Sequence, residues 1–365
     1  MKNSKLERIG IMTGGGDCPG LNAVIRAVVK IAITRHDIEV LGFIDGYEGL
    51  INNNFIKLGT REVSGILTLG GTMLGTSNTA NPFNYAIKQK GKVVYKDVSR
   101  KAIEAYRKNK LDALIITGGD GTLTSAQAFH EAGLNVVGVP KTIDNDLSAT
   151  DVTFGHDTAV TTATEAIDKL HSTAQSHHRV MIVEVMGRYA GWIALFSGAA
   201  GGGDVILIPE IPYNIDVICK KVKERSESGK RFSILVVSEG AKPIGGDVTV
   251  SKIVENSPDK IRLGGIANRL VDQIEKATGV ECRATILGHV QRGGTPTAFD
   301  RILATRYGAA ALELVLEKKF GRMVAWVGSK MTDVSIADAI GKLKLVPPDL
   351  PLIRSLKSMG ISFGD

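Results

Sequence analysis

With 365 residues, 43% of them hydrophobic, the chain can bury a large core and is longer than most single cores, which predicts two α/β lobes. Its net charge of +7 comes without a run of five or six like charges or a basic stripe interleaved with aromatics, which argues against nucleic acid or a membrane surface as partner. Cys18, Cys219 and Cys282 form no CxxC pair and no zinc-ligand cluster, the amino-terminal segment MKNSKLERIG is polar, and no stretch approaches about 18 uncharged apolar residues, so a reducing, cytoplasmic setting is expected.

In chain order, Arg8 to Met12 reads as a buried strand, followed by a glycine-rich turn and a helix from Leu21 to about Thr34. Val40 to Ile44 is the next strand. Ala113 to Thr117 is another, ending in Gly118-Gly119, with a helix over Ser125 to Ala132. Val136 to Val139 is a strand stopped by Pro140, Thr158 to His171 a long helix, and Val180 to Val185 a strand. Ile234 to Val237 and Val324 to Val327 look similar. This alternation predicts parallel sheets covered by helices, with ligands at the carboxyl ends of the strands.

The informative residues lie just after strands. Thr13 to Gly20 (TGGGDCPG) joins a strand to a helix, and its consecutive glycines let backbone N–H groups approach a phosphate. Alone it is equally a tight turn, and it is neither a Walker A loop nor a GxGxxG fingerprint. In Gly118 to Thr122 (GGDGT), Gly119, Gly121 and Thr122 surround Asp120, a hard oxygen ligand for Mg²⁺; the bland reading is an Asp-Gly turn. Pro140 to Asp146 (PKTIDND) places Asp144 and Asp146 on one side of an extended backbone, where one carboxylate can accept a hydroxyl proton. Lys141 and Thr142 directly upstream weigh against an ordinary acidic turn.

Further on, Glu184 to Trp192 (EVMGRYAGW) offers Met186, Gly187 and Arg188, and Glu239 follows the ILVVS strand, where a carboxylate can take sugar hydroxyls. Arg283 to Gly294 (RATILGHVQRGG) brings Arg283, His289 and Arg292 around glycine turns, and arginine forks suit phosphate. Taken singly, these arginines, and Arg179 after the His177-His178 pair, read as surface residues and His289 as a core histidine.

Together, in this order, TGGGDCPG, GGDGT, PKTIDND, EVMGRYAGW and LGHVQRGGTPTAFDR resemble the phosphofructokinase family from about residue 8 to about residue 330. The resemblance implies two similar α/β lobes, each with a mostly parallel sheet, with the chain crossing back: residues 1–155 plus about 291–341 for nucleotide and Mg²⁺, and 156–290 plus about 342–365 for fructose 6-phosphate. It implies Asp144 as the base for the 1-hydroxyl with Thr142 and Asp146 beside it, Asp120 on Mg²⁺, and Gly15 and Arg188 at the transferring phosphoryl group. Met186, Gly187 and Glu239 would hold the fructose, His289 and Arg292 the 6-phosphate, and Tyr47 would lie near the adenine. Arg179 and Arg283 match residues that reach in from a neighbouring subunit, implying a homotetramer or homodimer.

The donor in this family is ATP or pyrophosphate. Gly121 resembles ATP users, since pyrophosphate users usually carry aspartate there. Lys141 matches pyrophosphate users and some ATP-using branches, so the balance favours ATP. Asn78 and Thr79 stand where a family segment normally carries an arginine, which removes a cation from the site. Two rivals come from other classes: a lipid or NAD kinase sharing only GGDGT, and a non-catalytic sugar-phosphate binder, against which the intact Asp120, Thr142, Asp144 and Arg188 argue.

Overall fold

A computed structural model describes residues 6–89, 92–253 and 261–365. The larger sheet has seven strands, in spatial order Lys330–Ser335, Arg322–Val327, Val136–Pro140, Ala113–Gly118, Arg8–Thr13, Glu39–Phe43 and Phe55–Leu58. Its five central strands run parallel, and the two outermost pair antiparallel. Ala113–Gly118 and Val136–Pro140 are buried end to end, as parallel strands covered on both faces must be. The edge strand Lys330–Ser335 is polar and partly exposed, which protects the sheet from further pairing.

Strand order reverses between Arg8–Thr13 and Ala113–Gly118. From the first the chain passes through the Leu21–His36 helix to Glu39–Phe43 on one side; from the second it passes through the Asp120–Glu131 helix to Val136–Pro140 on the other. The loops leaving the two strands therefore diverge and open a crevice at their carboxyl ends. A smaller, all-parallel sheet follows in the order Cys282–Ile286, Val180–Val185, Ser233–Ser238, Val205–Leu207. The chain leaves the larger sheet after Val136–Pro140, builds the smaller one, returns for Arg322–Val327, and ends with Ser362 bridged to Val205. Among the described residues no helix is long and apolar enough to cross a membrane.

Two helices differ from the sequence reading. The helix after GGDGT begins at Asp120 rather than Ser125, with Leu123 N–H bonded to Gly119 O at 3.0 Å. Glycines hide its first turn from propensity, while the Asp120 carboxylate suits the positive helix end. The helix read over Thr158 to His171 runs from His156 to His177, its last turns being polar.

Candidate active site

The crevice holds a cleft of about 290 Å³. The glycine turn forms one wall. Gly14 N–H bonds Thr117 O at 2.9 Å, tying the turn to the neighbouring strand, and Thr76 Oγ1 donates to Gly15 O at 2.6 Å. Gly15 N–H, expected to face a phosphoryl group, makes a long bond of 3.3 Å to Ser77 O. A Cβ on Gly16 would come within 1.8 Å of Arg292 Nη1, so only glycine admits that guanidinium against the turn. Lys141 Nζ donates to Gly16 O, and burial lowers the ammonium's pKa. Lys141 and Arg292 are the cations lining the cleft, and Asn78 lines it where an arginine had been sought.

Gly119, Asp120, Gly121 and Thr122 form the opposite wall, at the start of the Asp120–Glu131 helix. A Cβ on Gly121 would meet nothing within 4 Å, so this position opens onto free space. Tyr47 is buried at the cleft with its hydroxyl donated to Thr122 O at 2.8 Å. Asp120 Oδ1 accepts from Gly341 N–H at 2.8 Å. No group of three or more His, Cys, Asp or Glu among the described residues could hold a metal ion, and the carboxylates lining the cleft are those of Asp17, Asp120 and Asp144. That donor set fits Mg²⁺, which keeps several waters and takes one or two carboxylates together with substrate phosphates.

The Lys141–Asp146 segment closes the cleft. Thr142 Oγ1 accepts from Asp144 N–H at 3.1 Å, and Asn145 adopts a left-handed φ of 51°, so the backbone between the two acids is not extended as the sequence reading expected. Thr153 Oγ1 donates to Thr142 O at 2.7 Å. Burial holds His156 down to about 4, leaving a neutral ring whose Nδ1–H donates to Ile143 O at 2.7 Å. Burial, reinforced by the Asp146 carboxylate, pushes Asp144 up to about 7. Burial also raises Asp146, offset in part by its hydrogen bond with Thr142. Asp144 Oδ1 is buried with no hydrogen-bond partner. A basic carboxylate with an unsatisfied acceptor is equipped to take a proton from a hydroxyl.

A second cavity opens nearby, lined by Met186, Glu239, Gly264, Gly265, Asn268 and His289. Glu239, raised by burial and by Glu184, acts electrostatically on Asp144, as do Lys141 and Arg292 of the first cleft. Asp144 thus feels charges from both cavities. Gly187 O accepts from Ser238 Oγ and from Gly240 N–H at 3.2 Å, fixing the turn after Met186.

Arg179 and Arg283, expected to serve a neighbouring subunit, line neither cavity, and Arg188 acts electrostatically on Glu239 of the second. Arg188 is not among the residues lining the cleft; it donates to Ile261 O at 3.0 Å and stacks over Tyr189 at 5.0 Å. Arg179 and Arg283 both pair with Glu281, Arg179 Nε at 2.7 Å, where Val180–Val185 and Cys282–Ile286 begin. That end of the smaller sheet is opposite the carboxyl ends that carry Met186 and Glu239. Sequence reading also missed residues the structure brings in. Gln291 is fully buried, its Oε1 accepting from Met186 N–H at 2.8 Å; its place between His289 and Arg292 was the available signal. Ser77 and Asn81 also line the cleft, in the family-like segment where only Asn78 and Thr79 were singled out.

The family model for phosphofructokinase matches residues 8–315. The chain belongs to the phosphofructokinase family. Within that family, a Clostridium perfringens protein named ATP-dependent 6-phosphofructokinase 2 is 58% identical over 99% of both chains. An Amycolatopsis mediterranei protein named pyrophosphate–fructose 6-phosphate 1-phosphotransferase is 51% identical over 93% of this chain and 96% of its own. The solved Pichia pastoris phosphofructokinase superposes with a TM-score of 0.78 at 32% identity, over 92% of this chain and 35% of that longer one.

Proposed function

We propose that this phosphofructokinase transfers the γ-phosphoryl group of ATP to the 1-hydroxyl of fructose 6-phosphate, giving fructose 1,6-bisphosphate and ADP. The observation that carries the reading is Asp144, a buried carboxylate with a raised pKa and an orphaned oxygen, lining a phosphate-suited cleft and within electrostatic reach of Glu239 in a second cavity. The 58% identity to an enzyme named as ATP-dependent supports the same donor.

In this reading Asp144 takes the proton as the 1-hydroxyl oxygen attacks the γ-phosphorus and the bond to ADP breaks. Thr142 Oγ1 holds the Asp144 backbone N–H, the Asp146 carboxylate raises the basicity of Asp144, and Gly15 N–H exchanges its long bond to Ser77 for a phosphoryl oxygen. Asp120 is the protein ligand for Mg²⁺, which when bound neutralises charge on the donor phosphates. Gly119, Gly121, Thr122 and Lys141 cradle the donor phosphates, and Tyr47 borders the nucleotide. Met186, Gly187 and Glu239 hold the fructose, with His289 and Arg292 on its 6-phosphate. Arg188 leaves the Ile261 carbonyl for the transferring group when substrate loads. Arg179 and Arg283 serve a neighbouring subunit's site in a homotetramer or homodimer. Lobes of residues 1–155 plus 291–341 and 156–290 plus 342–365 flank the site, and the setting is the cytoplasm.

Pyrophosphate as donor is the second reading. Lys141 Nζ at the Gly16 carbonyl favours it, as does the relative named for that donor. The open space at Gly121 favours ATP. Incubation of the purified chain with fructose 6-phosphate and Mg-ATP, followed by phosphorus NMR, tests the reaction. A new phosphate ester on carbon 1 is expected; unchanged sugar phosphate refutes it.

A further inference from the structure

The loop that carries Asp144 has a support that no motif announces. Asn145 holds its left-handed φ of 51° with its side chain buried. That conformation is uncommon for residues other than glycine and persists where neighbours enforce it. Asn145 Oδ1 accepts from Lys344 Nζ at 2.9 Å and from Thr153 N–H at 3.1 Å. The same ammonium donates to Thr150 O at 3.0 Å and to Asp151 O at 2.8 Å, so its three N–H groups are all engaged around one loop. The backbone of Lys344 grips the other side, donating to Asp146 O at 2.8 Å next to an antiparallel bridge between Leu147 and Leu343.

The segment around Lys344 is anchored in turn. Trp192 Nε1 donates to Lys344 O at 2.8 Å, and Val346 N–H donates to Glu210 Oε1 at 2.8 Å. Three residues upstream of Lys344, Gly341 N–H holds Asp120. Six residues, Gly341 to Val346, therefore touch the Asp120 carboxylate, the turn between Asp144 and Asp146, and the helix that begins at Trp192. We propose that Lys344 is a positioning residue for phosphoryl transfer: its ammonium locks the turn at Asn145 and thereby aims the Asp144 carboxyl. This inference rests on the reading of Asp144 as the base. Lys344 touches no reacting atom; a reacting group misplaced by a fraction of an ångström loses rate without losing substrate affinity.

The test compares full-length wild type, Lys344→Met, Asn145→Gly and the double variant. Methionine keeps the length of the side chain and every backbone bond of the segment while removing the donors. Glycine keeps the left-handed turn allowed while removing the acceptor. With fructose 6-phosphate and Mg-ATP, each single variant should lose about 10- to 100-fold in kcat, with both KM values held within about threefold. The double variant should lose less than the product of the two single losses, because both remove the shared Lys344–Asn145 bond. An unchanged kcat in Lys344→Met, or losses that multiply in the double variant, overturns the inference. Should Lys344→Met fail to fold, Asn145→Gly decides alone: a kcat loss at steady KM supports the inference and wild-type kcat overturns it. Wild type inactive on fructose 6-phosphate would refute the proposed function instead. Amide exchange then reads the lock directly: faster exchange confined to residues 142–151 in Lys344→Met supports it, and wild-type exchange there overturns it.

Discussion

Asp144 combines properties that pull against each other. Its burial and the adjacent Asp146 raise the pKa from the ordinary carboxylate range to about 7, which makes it a better base and a less comfortable buried charge. Asp144→Ser should lower kcat at least about 100-fold with little change in the KM for fructose 6-phosphate, as loss of a general base requires. A mild effect would remove Asp144 from the mechanism. For wild type, log kcat/KM should rise with pH and level off near 7, and this ascending limb should vanish in the serine variant. Because the folded pKa is raised, the native state binds the extra proton, so this group's contribution to stability falls as pH rises from about 4 to about 7. Asp144→Asn should therefore raise the thermal midpoint at pH 8 and do so less at pH 5; equal shifts at both would show that the acid is not strained. Gly121 tests donor choice. A Cβ there meets nothing within 4 Å, so Gly121→Asp should fold normally while losing at least about tenfold in kcat/KM for ATP, through repulsion between its carboxylate and the donor phosphates.

At the scale of elements, the carboxyl end of Val180–Val185 supports the second cavity through Glu184. This buried carboxylate accepts from Gly265 N–H at 3.0 Å and Ala267 N–H at 3.0 Å, capping the Ile266–Thr278 helix whose own N-cap residue, Gly265, has no side chain to offer. Glu184→Ala should cost about 1–3 kcal/mol in denaturant unfolding and raise the KM for fructose 6-phosphate, because Asn268 of that helix lines the cavity. An unchanged unfolding midpoint would rule the cap out. Glu184 also shows what the sequence made legible. Its strand was readable as an apolar run, and the segment after it was marked by glycines and an arginine. The capping role was not, since its partners lie 81 and 83 residues away. Likewise GGDGT was legible as a loop at a strand end, yet its glycines concealed that Asp120 already belongs to a helix. Ten expected residues line the first cleft because strand-end loops at a switch point converge by topology, which alternating apolar runs encode. Lys344 gave no such signal, its contacts spanning 193 to 199 residues on a polar segment without a motif.

The whole molecule raises the question of what Arg179 and Arg283 do. They share Glu281 at the end of the smaller sheet away from Met186 and Glu239, so they stand apart from the second cavity of their own chain. If they complete a neighbour's site, co-expressed Asp144→Ser and Arg179→Ala/Arg283→Ala chains should form mixed oligomers with some intact sites. Activity above that of either parent is expected; strict additivity of the two parents would confine each site to one chain. The same architecture divides the two cavities: the larger sheet supplies the glycine turn, Asp120 and Lys141 to the first, and the smaller supplies Met186 and Glu239 to the second. Asp144 is placed to feel both.

The most direct test of this account is steady-state turnover of fructose 6-phosphate with Mg²⁺, measuring kcat/KM for ATP and for pyrophosphate on the same preparation. The account predicts turnover with ATP and a kcat/KM for pyrophosphate at least about tenfold lower, the open position at Gly121 outweighing Lys141. A preference for pyrophosphate would contradict the choice of donor, and no turnover with either would contradict catalysis by Asp144.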